Sequence, residues 1–383
     1  MTDNQYEVVV IGGGIHGAGV AQAAAAAGYK TLIIEHQYWA AGTSSRSSKL
    51  LHGGLRYLET AQLGLVRESL QERNRLLRLA PSLAHPLRFH IPVYSTTTRR
   101  PWQLFFGLTL YAILSGFTSM SRFSWSTPPP PGLKKKGLKS LFSYSDGQTN
   151  DTQLTQAVVD SAQALGAQTC CPATVTGIEK YSDGYQLMIK EGEVLNQIQS
   201  SFVVNCSGPW VNQVLTSVTP STEQLACELV KGSHLILRER ISTDAFYLES
   251  PQDQRAIFLL PWGEHSLLGT TEQNFNGDPK TVAVSEQERE YLLTTVRYYF
   301  PDNSFTVIDE FAGIRVLPIG RSPAFSRPRE CILHTDSHHP CLLSLYGGKL
   351  TTYRHTAEKV ITIIKAQLGK RTAVADTKSL HLV

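Results

Sequence analysis

The sequence lacks the features that mark disulfide-rich, metal-binding and nucleic-acid-binding proteins. Its six cysteines show neither C-x-x-C nor zinc-ligand spacing, so we interpret them as reduced, mostly buried thiols and predict no metal site. The formal net charge is only +4, and the cations are spread along all 383 residues, which argues against a nucleic-acid partner. Neither a solenoid repeat nor a signal-type leader is recognisable. These absences favour a cytoplasmic enzyme of two domains.

The N-terminal segment has the pattern of a dinucleotide-binding unit. Residues 6–11 form an apolar strand pattern, and Gly12, Gly14 and Gly17 then complete G-x-G-x-x-G before an alanine-rich helix. The first glycine permits a tight turn, the second lets the backbone approach a pyrophosphate, and the third lets the helix pack on the strand. Glu35 ends the second strand, where an acid accepts hydrogen bonds from the adenosine ribose. The bound species is therefore FAD or NAD.

Two later segments favour FAD. Residues 202–210 and 341–349 each combine a buried strand pattern with a glycine turn, and the second continues into a helix pattern that reaches about Leu368. We expect this last helix to begin at Lys349 and to direct its N–H groups towards the flavin. A helix N-terminus there would stabilise the negative charge that develops when the flavin is reduced.

The segment that follows the dinucleotide unit, residues 42–59 (GTSSRSSKLLHGGLRYLE), is rich in hydrogen-bond donors. Arg46, Lys49 and Arg56 lie among serine and threonine hydroxyls, and no acid occurs before Glu59. Such a composition suits anionic oxygens better than a hydrophobic core. A solvated loop is the alternative, but the position beside a nucleotide site favours a binding role.

Residues 101–121 (PWQLFFGLTLYAILSGFTSMS) form an uncharged run about as long as a bilayer span. We reject a membrane crossing, because it would place the two parts of one cofactor site on opposite sides of the membrane. Two alternatives remain. The run is either a core helix or an interfacial helix on a membrane, and the downstream lysines, Lys134–Lys136, favour an anionic leaflet.

The remaining pattern predicts a second domain. A helix is expected over Gln62–Leu79, with Leu63, Val66 and Leu70 on one face, and antiparallel strand patterns begin at about Leu229. The predicted fold class is α/β, with a discontinuous Rossmann-like FAD-binding domain and a second, largely antiparallel β-sheet substrate domain. The predicted boundaries are 1–80, 145–215 and 310–383 for the first domain, and 81–144 and 216–309 for the second.

Several motifs together resemble one enzyme family. The motifs are SSKLLHGGLRYLE, NCSGPWVN, VKGSH, GTTE, GIRVLP and YGGKLTTYR. In this order and spacing they resemble the FAD-dependent glycerol-3-phosphate dehydrogenases, within the D-amino-acid-oxidase-like flavoproteins, from Tyr6 to about Leu368. Two departures stand out. Family members usually continue into a further helical domain, whereas this chain ends at Val383, and Val316 replaces the proline common after the arginine of GIR.

The resemblance implies a substrate and roles for individual residues. It implies oxidation of glycerol 3-phosphate to dihydroxyacetone phosphate, with electrons passed to quinone or another acceptor. Arg56, Tyr57, Arg327 and Lys349 are then expected to bind substrate, and Arg315 to lie near the reacting hydroxyl. His234, in the motif KGSH, is our candidate proton acceptor, because a near-neutral pKa suits a general base. A structural histidine and structural arginine ion pairs are the alternatives.

The fingerprint and the resemblance also predict the FAD contacts. These are Gly12, Gly14, Gly17, Glu35, Thr43, Ser44, Ser45, Ser48, Lys49, Leu50, His52, Gly53, Gly54, Val175, Gly208, Trp210, Gly348, Lys349, Leu350 and Thr351. Two other classes of function stay open. One is an oxidase of the same superfamily that acts on an amine or hydroxy acid and uses oxygen, and the other is a non-catalytic FAD-binding protein. For localisation we expect a cytoplasmic protein with peripheral contact to the cytoplasmic face of the membrane.

Overall fold

A computed structural model describes residues 4–59, 61–116, 118–125, 128–319 and 330–383. Its strands fall into two sheets. In chain order they are β1 (Gln5–Ile11), β2 (Thr31–Ile34), β3 (Leu50–Leu51), β4 (Ala84–Tyr94), β5 (Leu138–Thr149), β6 (Gln168–Cys170), β7 (Thr174–Tyr181), β8 (Gly184–Glu191), β9 (Val194–Asn205), β10 (Val218–Thr219), β11 (Cys227–Leu237), β12 (Ala245–Glu249), β13 (Ala256–Trp262), β14 (His265–Gly269), β15 (Gln273–Phe275), β16 (Val307–Pro318), β17 (Ile332–Thr335) and β18 (Leu342–Tyr346).

The α-helices cover the two sheets. They are α1 (Ile15–Ala26), α2 (Leu63–Leu79), α3 (Pro101–Leu114), α4 (Asp151–Ala164), α5 (Val211–Leu215), α6 (Glu286–Tyr299) and α7 (Tyr353–Leu368). The helix predicted over Gln62–Leu79 forms within one residue of its expected start. The helix predicted from Lys349 does not begin there, because Lys349 is extended and a short 3-10 turn over Leu350–Thr352 precedes α7.

The first sheet has a parallel centre. Strands β6, β2, β1, β9 and β18 lie side by side in parallel, and β1 pairs with β9 from Gln5↔Gln199 to Ile11↔Asn205. The hairpin β7–β8 extends this sheet beside the first half of β9. Val8, Val9 and Val10 are fully buried, because α1, which contacts α4 and α7, covers one face of β1.

The second sheet is mostly antiparallel. Its order is β15-β11-β14-β13-β12-β4-β5-β3, and β16 pairs with β11 over its whole length, from Cys227↔Pro318 to Leu237↔Val307. Together the two sheets confirm the predicted fold class. The predicted domain boundaries at 144 and 310 fall inside β5 and β16, and both of these strands belong to the second sheet.

The uncharged run contains one α-helix, α3, which is shorter than the run itself, and a 3-10 turn over Ser119–Ser121. Leu104, Leu108 and Tyr111 face the core, whereas Trp102 and Phe106 are 62% and 65% exposed. Within the described ranges, every helix is too short or too polar to span a bilayer. On α2, Val66 and Leu70 are buried as expected, but Leu63 is exposed, because it lies at the first turn of the helix, outside the packed face.

Candidate functional site

The dinucleotide turn opens into a large cavity. Gly12 has φ +105°, and a Cβ there would lie 2.6 Å from the Cys206 carbonyl oxygen, so the turn requires glycine. A Cβ on Gly17 would lie 1.8 Å from the Gly12 oxygen, so the close packing of helix on strand requires glycine here as well. The cavity has a volume of about 690 Å³, within the range of ligand sites. It is bounded by the segments 11–16, 41–47, 206–210 and 347–350 and by residues 314–317 of β16.

Most predicted cofactor contacts outside residues 45–54 line this cavity. Glu35 lines it at the carboxyl end of β2 and accepts hydrogen bonds from the amides of Gly13 (2.6 Å) and Gln37 (2.9 Å). Ser44 lines it as well, and its Oγ accepts a hydrogen bond from the Ile15 amide at 2.9 Å. The other predicted residues in the lining are Gly12, Gly14, Thr43, Val175, Gly208, Trp210, Gly348 and Leu350.

The second half of the hydroxyl-rich loop turns away from the cavity. Lys49 Nζ donates to Asp151 Oδ1 at 2.5 Å and to the Ser45 carbonyl at 2.6 Å, so its charge is neutralised within the protein. Ser48 Oγ pairs with His234 Nε2 at 2.9 Å. Ser45, Ser48 and Lys49 do not line the cavity, and their predicted contacts with FAD stay predictions. The partners of Lys49 and Ser48 are brought in by α4 and β11, far away in the sequence.

The remaining predicted residues lie outside the cavity lining and hold the loop in place. The His52 amide donates to Thr351 Oγ1 at 3.2 Å, which ties the loop to the turn before α7. Leu50 is buried in β3, and the Gly53 amide donates to Tyr111 Oη at 2.8 Å. Gly54 has φ +79° and allows the chain to turn into the segment Leu55–Leu58. These residues position the site rather than line its cavity.

A buried ionic network beneath α3 holds this loop. Tyr111 Oη donates to Asp146 Oδ2 at 2.9 Å, and Arg73 pairs with Asp146 Oδ1 at 2.5 Å. Burial raises the pKa of Asp146, and Arg73 opposes that shift. A Cβ on Gly53 would lie 2.5 Å from Tyr111 Oη, so the loop backbone packs directly on α3.

Four of the predicted substrate-site residues come together beside the cavity. Lys349 Nζ lies 4.0 Å from the centre of the Tyr57 ring, and Arg56 Cζ lies 5.0 Å from the same centre. Arg315, which lines the cavity, lies 3.5 Å from Glu272 Oε1. Burial lowers the pKa of Arg315, Glu272 opposes that shift, and the positive charge of Arg56 adds to it. Arg327, the other predicted substrate ligand, lies outside the described residues.

His234 lies at the junction between the loop and the second sheet. Its ring stacks on Phe311 with centroids 4.9 Å apart, and its Nδ1 has no hydrogen-bond partner within the described part of the chain. Burial, and then the charges of Arg315 and Lys49, lower the pKa of His234 to about 3. The imidazole is therefore neutral at physiological pH and can accept a proton, but its pKa lies well below the near-neutral value that we expected of the general base.

Two site residues were missed by the sequence analysis. His16 lies between two fingerprint glycines and lines the cavity, with a pKa that burial lowers to about 4. Glu272 belongs to the quoted motif GTTE, which was assigned no role. The signal for Glu272 was its charge, since it is an acid in a motif of a site otherwise rich in cations. For His16 the signal was a ring at a fingerprint position that borders the nucleotide.

The cavity has unsatisfied polar groups that fit a bound dinucleotide. His16 Nε2 and Trp210 Nε1 are buried and lack hydrogen-bond partners among the residues described, and both side chains line the cavity. Buried polar atoms in native proteins are nearly always satisfied, so a ligand is the natural partner for these two. A Cβ on Gly348 would lie 2.4 Å from the His16 ring, so the last glycine turn closes directly over the first. No cluster of metal-ligating side chains was found in the described ranges.

Comparison with known proteins agrees with this geometry. A family model described as FAD dependent oxidoreductase matches residues 7–354. A glycerol-3-phosphate dehydrogenase from Synechocystis sp. is 36% identical over 95% of this chain and 71% of its own length. A D-erythritol 1-phosphate dehydrogenase from Brucella abortus is 35% identical over 92% of this chain and 72% of its own. The solved glycerol-3-phosphate dehydrogenase from Bacillus halodurans, complexed with FAD, superposes with a TM-score of 0.79 at 26% identity, covering 100% of this chain and 68% of that one.

The matched family and the FAD-bound Bacillus halodurans structure indicate the same cofactor. The prediction of FAD is confirmed. The chain belongs to the family of FAD-dependent oxidoreductases.

Proposed function

We propose that this protein oxidises sn-glycerol 3-phosphate to dihydroxyacetone phosphate and passes the electrons to a quinone. The observation that carries the proposal is the group formed by Arg56, Tyr57, Arg315 and Lys349, which places three cations beside the FAD cavity. A phosphate monoester carries nearly two negative charges, and such a group is suited to hold it. Relatives named for polyol phosphates support the same substrate class.

Glu272 adds a second kind of recognition to this group. Its carboxylate faces Arg315 and also acts on the charge of Arg56. A carboxylate accepts hydrogen bonds from hydroxyl groups, whereas guanidinium and ammonium groups bind the phosphate. We propose that Glu272 binds a hydroxyl of the substrate, so that the group selects a polyol phosphate over a simple phosphate.

The proposed mechanism uses the neutral imidazole of His234. When bound, the flavin supplies the hydride acceptor, its N5 atom. The cations fix the phosphate and thereby orient the C2–H bond. His234 takes the hydroxyl proton at Nδ1, because its Nε2 is engaged by Ser48. The O–H electron pair then forms the carbonyl as the C2 hydride leaves, and Arg315 stabilises the oxygen.

Anaerobic mixing tests this function directly. Glycerol 3-phosphate should bleach the flavin absorbance at about 450 nm, since reduced flavin loses that band. Glycine and lactate should leave the band unchanged, because one arginine suffices for a carboxylate and three cations favour a phosphate. Bleaching by an amine or a hydroxy acid, with no response to glycerol 3-phosphate, would assign the protein to the superfamily's oxidases instead. No response to any substrate would indicate a non-catalytic FAD-binding protein.

D-Erythritol 1-phosphate is the second candidate substrate, because a relative of almost equal identity is named for it. Both molecules carry the phosphate and the neighbouring hydroxyls that the group recognises. The ratio of their kcat/KM values for anaerobic flavin reduction decides between them. A ratio in favour of the four-carbon substrate would replace glycerol 3-phosphate as the assigned substrate and leave the chemistry unchanged.

The proposed quinone acceptor is supported by the surface of α3. Phe106 lies edge to face with both Trp102 and Phe105, and Trp125, 60% exposed, contacts Phe105 at 5.5 Å between ring centres. Exposed aromatic clusters of this kind mark contact with a partner or a membrane interface. We propose that this aromatic surface rests on the membrane, where a quinone is available as the oxidant.

A further inference from the structure

A second cavity lies between α3 and the segment Leu55–Glu59. Its volume is about 320 Å³, and it is separate from the FAD cavity in its lining. Leu55, Leu58 and Leu104 provide an apolar wall, and Arg56, Arg99 and Tyr247 provide polar groups. Of its lining residues, only Arg56 belongs to the substrate group described above.

The cavity leads from the surface into the protein. Of its lining residues, Gln103 and Glu59 are exposed, whereas Ile91, Leu104 and Tyr247 are buried. A channel lined by charged groups with apolar walls concentrates ions of the opposite sign. Charged lining groups therefore influence which ions enter this cavity.

Hydrogen bonds fix the shape of the rim. Arg99 Nε donates to Glu59 Oε1 at 2.6 Å, and Arg99 NH1 donates to Glu249 Oε2 at 3.1 Å. The backbone amide of Thr98 also donates to Glu249, at 2.7 Å. The charge of Arg99 is thus balanced by two carboxylates.

Arg56 connects this cavity to the substrate group. Arg56 is a proposed phosphate ligand and lines the second cavity, whereas Arg315 lines the FAD cavity. Its guanidinium shares the Tyr57 ring with Lys349, at 5.0 Å and 4.0 Å. An anion held by Arg56 from the outer side is therefore one ring width from the inner cations.

We propose that the second cavity is the access chamber through which an anionic polyol phosphate reaches the active site, passing from the rim to Arg56 and from there to Lys349 and Arg315. This inference rests on the proposed function. Two guanidinium groups and a carboxylate in the wall suit a charged, hydroxylated molecule and are unfavourable for an apolar quinone ring. Substrate then has no need to pass the bound flavin, and the flavin can stay in place during turnover.

Gly107 gives a direct test, because it lines the chamber from α3 and a Cβ there would meet no atom within 4 Å. Gly107→Phe should fill the chamber without distorting the helix. Gly64→Phe is the matched control, since Gly64 is also helical with no atom within 4 Å, but lies on α2 outside the chamber. Equal FAD content and equal melting temperature in both variants establish that they are folded.

Stopped-flow reduction by glycerol 3-phosphate without oxygen is the measurement. In Gly107→Phe the rate at low substrate should fall about tenfold or more, while the limiting rate at saturation stays close to wild type, because access changes and the chemistry does not. Gly64→Phe should match wild type in both. Equal rates in Gly107→Phe and wild type would overturn the inference alone. Normal reduction with slowed reoxidation by a short-chain quinone would assign the chamber to the acceptor. A wild type that glycerol 3-phosphate fails to reduce would overturn the proposed function, and this inference with it.

Discussion

At the scale of single residues, the ammonium of Lys349 is the most direct test of the substrate group. The Nζ atom is buried over the Tyr57 ring, where a charge pair with phosphate would be largely desolvated. Lys349→Ala should therefore lower kcat/KM, mainly by raising KM. The loss corresponds to about 2–4 kcal/mol of transition-state stabilisation. The protein should still purify yellow, because the backbone around Gly348 remains. Lys370→Ala, at an exposed position, is the control. A colourless Lys349→Ala protein would show that the side chain serves the flavin instead.

His234 gives a prediction for pH. Its folded pKa of about 3 lies below the unfolded value of 6.5, so the unfolded chain binds the extra proton between these two values. Stability should therefore fall as the pH drops from about 6.5 towards 3, with a slope of up to about 1.4 kcal/mol per pH unit from this group. His234→Gln should flatten the dependence of the unfolding free energy on pH in that window. Identical slopes in both proteins would contradict the assigned burial of the neutral ring.

At the residue scale, the sequence predicts position best where local chemistry decides it, and Gly12 and Glu35 do line the cavity. Gly12 and Glu35 belong to a short fingerprint whose geometry is set within the segment itself. Lys49 and Ser48 were placed on the cofactor because their segment is rich in donors. Their actual partners, Asp151 and His234, come from α4 and β11, and no local pattern reveals such pairs.

At the scale of elements, the contact between α3 and the substrate loop predicts an effect on substrate affinity. Tyr111→Phe removes the hydroxyl that links the Gly53 amide to Asp146. We expect a loss of about 1–3 kcal/mol in stability and a raised KM for glycerol 3-phosphate, because the loop carrying Arg56 loses its support. The limiting rate of flavin reduction should change little.

Tyr94→Phe is the matched control for that variant. The Tyr94 hydroxyl donates to the Lys134 carbonyl in a different core cluster, so its loss should cost stability without raising KM. Equal KM values in the two variants would show that α3 supports the fold and has no influence on the substrate loop.

Element prediction was strongest for segments with a clear period and clear stops. The helix ending before Pro81 formed as expected. The start of α7 was misplaced, because Gly347 and Gly348 both have positive φ and the chain needs a 3-10 turn before the helix continues. The pairing of β16 with β11 depends on contacts about eighty residues apart, which periodicity alone does not specify.

At the scale of the whole molecule, the aromatic surface predicts membrane binding. The double variant Trp102→Ser, Phe106→Ser should lose cosedimentation with phosphatidylglycerol vesicles, because both rings are more than half exposed. Anaerobic reduction by glycerol 3-phosphate should be unaffected. Lys135→Glu with Lys136→Glu should weaken the same binding and its salt sensitivity, since both lysines are exposed, whereas Lys134 packs on Tyr298. Wild-type protein that stays in the supernatant would remove the proposed membrane contact.

The order in which the strands pair has a consequence for how the cofactor is acquired during synthesis. β1 needs β9 as its neighbour, and the cavity is closed only by the turn at 347–350. At about 5–20 residues per second, the ribosome needs roughly 20 to 70 seconds to travel from the first glycine turn to the last. The nascent chain therefore exposes an unfinished flavin pocket throughout that interval. FAD can be captured only once the turn at 347–350 has left the ribosome, so the free flavin available after that point, rather than before it, sets the yield of active protein.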